Sequence, residues 1–120
     1  MEVWTLTWSR LIKITPLTSL LLPSFAGVYR LSYKDSDGTI YVFYVGQADS
    51  IQLRIIQHLS VDEENICIKR VLSNYTCYLR YARVNDSRVR SGAELALYRH
   101  YLPSCNLIEP TGSLMQINFE

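Results

Sequence analysis

The chain has 120 residues, 48% hydrophobic and 19% charged, with a formal net charge of +1. One domain with a real core is the expectation at that length. Near-neutral charge excludes a whole-molecule basic field, and no segment approaches the ~18 apolar residues of a membrane-spanning helix.

Residues 2–8, EVWTLTW, alternate enough for a short strand or an extended arm. Residues 16–24 lie between Pro16 and Pro23, which predicts a loop or short helical turn packed by Leu20 to Leu22. Arg10 and Lys13 ahead of ITPLTSLLLPSFA resemble a signal peptide only faintly. Pro16 interrupts the apolar run, and cleavage after Ala26 would strip the flank of the next strand. Residues 27–34 and 39–46 read as strands joined by KDSDG, where Gly38 can take a positive φ, so they form an antiparallel hairpin. Asp49 or Ser50 caps a helix running through His58 or Leu59, with Ile51, Ile55 and Leu59 on one face. Asp62 to Leu72 suits a second helix, its acids at the N-terminus and Lys69 and Arg70 near the end. YTCYLRYARV at 75–84 is rich in strand formers. Residues 88–102 read as a helix stopped by Pro103, and 114–119 as a last extended piece. The pattern alone is an α/β domain: a small three-stranded antiparallel sheet, made of the hairpin and one later strand, flanked by helices. Residues 1–21 form an N-terminal extension packed on a domain of residues 22–120.

Charge and cysteine usage add two readings. Lys69 to Arg99 holds seven basic residues against Asp86 and Glu94, whereas residues 1–68 are net acidic. A basic half can meet phosphate, although a solvated surface has the same composition. Cys67, Cys77 and Cys105 are odd in number and widely spaced, with no CxxC or Cys/His cluster to bind zinc. A reduced, cytoplasmic setting fits them best.

Two tripeptides carry the functional signal. GVY at 27–29 and YVG at 44–46 resemble the two motifs that name the GIY-YIG nuclease superfamily, with Val for Ile at both. That family places an Arg in the first helix after YIG, often with a His one turn later; LRIIQHL supplies Arg54 and His58. It places a Glu in the helix after the third strand, and SGAELALYRHY supplies Glu94. It places an Asn beyond that helix, and LPSCN supplies Asn106. The resemblance runs from about Leu22 to Asn106.

The resemblance implies a metal-dependent endonuclease that hydrolyses DNA phosphodiester bonds. Glu94 would be the sole protein ligand of one Mg²⁺ or Mn²⁺, with water and substrate phosphate completing its shell. Arg54 would grip a nonbridging phosphate oxygen with its planar fork. Tyr29 would take the proton from the attacking water; a phenol of pKa ~10 needs nearby cation charge to do so. Tyr44 would order the water or contact the phosphate, His58 would position the water or relay a proton, and Asn106 would brace the site.

Each residue also has an ordinary reading. Strand tyrosines commonly pack; Arg54 could lie on an amphipathic helix surface; a backbone group often satisfies a histidine; Glu94 could pair with Arg90; Asn106 could be a turn residue. All must hold at once for the functional reading to fail. Gln47 follows YVG where several relatives carry Lys, and no zinc finger or helix-turn-helix is present. The expectation is therefore a weak and unspecific enzyme, a homodimer, or delivery by a separate DNA-targeting partner. The alternative is a nucleic-acid-binding domain of this fold without turnover.

Overall fold

A computed structural model describes all 120 residues. In chain order they form β1 (Glu2–Trp4), β2 (Ile12–Lys13), α1 (Pro16–Ser19), β3 (Gly27–Lys34), β4 (Ile40–Ala48), α2 (Ile51–Leu59), α3 (Ile66–Asn74), β5 (Thr76–Arg83), α4 (Ser87–Tyr101) and β6 (Met115–Ile117). The architecture is α/β, built on a four-stranded antiparallel sheet in the order β2-β5-β3-β4. A separate pair, β1 and β6, is parallel. No helix is long and apolar enough to cross a membrane.

The hairpin is built by its turn. Asp35 Oδ1 accepts from the backbone N–H groups of Asp37 and Thr39, both at 3.1 Å, and Gly38 takes φ +89°. The two strands pair with Tyr29 opposite Gly46 and Leu31 opposite Tyr44. Beyond that point Ser32 faces Val42, so Phe43 is an extra residue on β4. The bulge changes which way Tyr44 points. Strict alternation from Tyr41 through Phe43 would place Tyr44 on the opposite face; the extra residue returns it to the face of Leu31 and Tyr29.

Two cores line the two faces of the sheet. Tyr29, Leu31, Phe43 and Leu79 pack with Ile51 and Ile55 of α2 and Ile68 of α3. Val28, Val45 and Ala82 pack with Val89, Ala93 and Leu97 of α4. Ser50 caps α2 by accepting from Leu53 N at 3.2 Å, and Asp86 caps α4 by accepting from Arg88 N and Val89 N. Leu102 ends α4 with φ 48°, just before Pro103.

Three expectations need correction. The sheet has a fourth strand, because Ile12 and Lys13 pair with Leu79 and Tyr78 of β5; two residues carry too little alternation to read in a sequence. Nearby, Leu6 and Trp8 are buried in the α4-side core. The second helix starts at Ile66, not Asp62: Asn65 is its cap, accepting from Ile68 N at 3.1 Å, and the acids at 62–64 precede it. The expectation of reduced cysteines also fails. Cys67 and Cys105 form a disulfide, with Cα atoms 5.3 Å apart across a sequence separation of 38, while Cys77 stays a free buried thiol. Folding brings together what the spacing kept apart, and a persistent disulfide is characteristic of oxidising compartments, not a reduced one.

Candidate active site

β4 is an edge strand, so its outer side is open to other elements. α2 approaches it from one face and α4 from the other. The segment after α4 closes the edge itself. The Asn106 carboxamide accepts from Val45 N and donates to Val45 O, both at 2.9 Å, as a paired strand would. Cys105 N donates to Phe43 O at 2.8 Å, and Asn65 Nδ2 donates to Cys105 O at 3.0 Å. Asn106 is therefore held by backbone that it holds in return.

Tyr29 lies at the centre, with 0% of its surface exposed. Its ring occupies the space above Gly46: a Cβ built there would stand 2.6 Å from the Tyr29 hydroxyl and 2.7 Å from Cζ. This close approach is why a glycine stands opposite this tyrosine. Gly27 has a similar reason on the other side, since a Cβ there would meet the Ala82 carbonyl oxygen at 2.3 Å.

The Tyr29 hydroxyl and His58 Nε2 are 2.7 Å apart. His58 Nδ1 lies 2.9 Å from Glu63 Oε2. The His58 and Glu63 side chains are only 6% and 8% exposed, so water competes little with these bonds. Tyr44 stands beside the pair, its ring centroid 6.2 Å from Tyr29 and 5.5 Å from His58.

The electrostatics of the cluster follow from burial. Desolvation raises the Tyr29 pKa well above that of a free phenol, and Tyr44 adds to it, while the Arg54 charge opposes both. Burial, then Glu94, raises the Tyr44 pKa. Burial lowers the His58 pKa against the pull of Glu63, so the imidazole is neutral at pH 7. Burial raises the Glu94 pKa, and the Gln47 amide and Arg54 oppose it. Arg54, Glu94 and both phenols thus lie within each other's fields. Arg54 has no carboxylate within salt-bridge distance.

Glu94 projects from α4 towards the same edge. Its Oε1 accepts from Gln47 Nε2 at 3.0 Å, and Gln47 also reaches Ser91 Oγ at 3.1 Å. The Arg90 partner that helical spacing offered does not form; Arg90 turns to Asp49 at 3.2 Å and to the Val84 and Asn85 carbonyls. A cleft of about 460 Å³ opens here, lined by Tyr44, Asn65, Glu94, Asn106 and the loop at 107–111. A larger cavity of about 550 Å³ lies between α4 and the β1–β6 pair, with Arg99 as its one charged side chain. It has no cluster of reactive groups.

Glu94 meets the chemical requirement for a hard divalent cation. A half-buried carboxylate that faces a cleft and makes no ion pair with the protein's own cations fits an ion that brings its own waters. No group of three or more His, Cys, Asp or Glu forms a cage there.

Of the six sequence-derived residues, Tyr44, Glu94 and Asn106 line the cleft at this edge, whereas Tyr29 is buried behind it on β3, bonded to His58 of α2, with Arg54 of α2 close enough for its charge to be felt. The sequence reading missed Glu63 and Asn65. Glu63 follows His58 by five residues, but it sits in an acidic run that reads as a helix N-terminus. No protein-family model and no curated protein matches the chain.

Proposed function

We propose that the protein is a metal-dependent endonuclease of GIY-YIG type, hydrolysing phosphodiester bonds in DNA. The observation that carries this reading is the 2.7 Å contact between Tyr29 and neutral His58, within the field of Arg54 and Glu94. A phenol is a poor base in so dry a place, because burial opposes a standing phenolate. It becomes a useful one if its proton leaves as another arrives. Tyr29 then takes a proton from the attacking water while its own passes to His58 Nε2. The water oxygen attacks phosphorus, and the bond to the leaving oxygen breaks with its electron pair kept on that oxygen, which takes a proton from solvent. Arg54 holds a nonbridging oxygen of the phosphate, for which it has no rival carboxylate. Tyr44 orders the water at the cleft, and Asn106 keeps β4 in place. Mg²⁺ or Mn²⁺ held by Glu94 would neutralise the phosphate and the leaving oxygen.

A second reading has its own support. A fully buried Tyr29 with its hydroxyl satisfied by His58 is also a stable core network. That favours a nucleic-acid-binding domain without turnover. Nicking of supercoiled plasmid in Mg²⁺ separates the two. Cutting by the wild type and none by folded Glu94→Ala supports the nuclease. Salt-sensitive binding without cutting supports the alternative.

A further inference from the structure

We infer that Glu63 is a positioning residue that fixes the tautomer of His58, and so sets Tyr29 as a proton donor to the imidazole. The inference deepens the nuclease reading and rests on it for its catalytic half. Its structural half stands on geometry alone.

Two donors converge on the Glu63 carboxylate. The backbone N–H of Asn65 donates to Oε1 at 3.0 Å, and His58 Nδ1 lies 2.9 Å from Oε2. An ionised carboxylate accepts hydrogen bonds and donates none. His58 Nδ1 must therefore carry the hydrogen. In a neutral ring that leaves Nε2 as a lone pair, and the only way to form the 2.7 Å contact with Tyr29 is for the phenol to donate. The direction of the whole chain, Tyr29 to His58 to Glu63, is thus set by the acid at its end. When His58 gains the second proton it becomes an imidazolium with Nδ1–H still bonded to a buried negative charge. A carboxylate behind a histidine base acts in this way, holding tautomer and orientation and stabilising the cation.

The remaining neighbours do not supply this function. Arg54, on the same helix one turn earlier, opposes protonation of His58. Asn65 donates its N–H to Glu63 and its Nδ2 to Cys105 O, and its Oδ1 accepts from Ile68 N as the cap of α3. Glu63 is therefore tied to the start of α3 and to the segment that carries Asn106.

Glu63→Gln tests the inference sharply. An amide offers one acceptor oxygen and one donor nitrogen in place of two acceptors. If its oxygen keeps the Asn65 N–H, its NH₂ faces His58 Nδ1, and the ring must move its hydrogen to Nε2. The phenol then loses its acceptor. The readout is ¹⁵N–¹H NMR of the histidine rings above pH 7, with exposed His100 as internal control. We expect the Nδ1–H form of His58 in wild type and in Glu63→Asp, and the Nε2–H form in Glu63→Gln. Single-turnover nicking by Glu63→Gln should fall by ~10²–10⁴, the range for losing general base assistance, with partial recovery in Glu63→Asp. Wild-type His58 with its hydrogen on Nε2 overturns the inference without recourse to any variant. So does a Glu63→Gln protein that cuts at the wild-type rate. If the wild type does not cut DNA at all, the nuclease reading falls, and the NMR result still decides whether Glu63 sets the tautomer.

Discussion

Replacing Tyr29 with Phe separates chemistry from packing at one atom. The ring stays in its fully buried place above Gly46, and only the hydroxyl leaves. The structural loss is the 2.7 Å bond to His58 Nε2. His58 cannot compensate by turning that nitrogen into a donor, because Glu63 keeps the hydrogen on Nδ1. A buried acceptor is left without a partner, which costs about 1–3 kcal/mol. For a chain of this size that is a fall in Tm of roughly 4–12 °C, taking about 4 °C per kcal/mol. Most of the molecules stay folded at 25 °C if the stability is the usual ~5–15 kcal/mol. The catalytic loss is of a different size. Removing the base should slow cleavage by ~10²–10⁴, equivalent to about 3–5 kcal/mol of barrier. The assay is single-turnover plasmid nicking in Mg²⁺ beside thermal melts, with Tyr44→Phe as the comparison. Tyr44→Phe should cost less, since ordering a water is less than taking its proton. Nicking by Tyr29→Phe within threefold of wild type would remove Tyr29 from the mechanism. An unchanged Tm would show that the bond to His58 is absent in solution.

Three other measurements probe the same region. The pH–rate profile should lose activity on the acid side, with its midpoint below the ordinary histidine value of ~6.5, because burial lowers the His58 pKa and only the neutral ring accepts a proton; it should be flat above pH 7, and a rate still climbing at pH 9 would mark a free phenolate instead. Glu94→Gln should abolish metal-dependent nicking yet raise Tm at pH 7: burial raises the Glu94 pKa, so the folded state binds its proton more tightly than the unfolded state, and stability falls as pH rises through that window. A lower Tm for this variant would contradict the sign. Reducing Cys67–Cys105, which spans 38 residues of separation, should cost about 4 kcal/mol on the chain-entropy account, and melts that coincide with and without reductant would show that the bond does not form in solution.

The hairpin was legible because its turn chemistry is local: KDSDG carries both the acid that bonds the turn and the glycine that takes positive φ. The start of α2 at Ser50 and the end of α4 before Pro103 were legible for the same reason. What stayed hidden depends on partners far away. Ile12–Lys13 is a strand only because β5 lies beside it. The bulge at Phe43 interrupts the alternation that would have announced which way Tyr44 faces. Glu63 was visible as a charge, but its role needed the position of His58 after the chain has turned at Ser60. Among the site residues, those that a motif names could be found by order, whereas those that support them could be found only by contact.

The charges at the edge explain why so dry a cluster can serve an anionic substrate on the proposed reading. Three groups, Tyr29, Tyr44 and Glu94, are each pushed towards their neutral forms, chiefly by burial. Glu63 is engaged by His58 and Asn65, so it is not available to a ligand. Arg54 is the one cation whose field opposes these shifts. Bringing a phosphodiester to Arg54 would neutralise that cation and leave Glu94 less compensated than before. At an effective dielectric of ~20, two unit charges 4 Å apart still interact by about 4 kcal/mol, so a phosphate near Glu94 would be repelled by a comparable amount. Phosphate and an ionised carboxylate share the cleft at lower cost when a further cation enters with them. Gln47, where a Lys would have supplied fixed charge, supplies an amide hydrogen bond instead. On the proposed reading a mobile ion supplies the missing charge, and the expected result is that the affinities for that ion and for the substrate rise together.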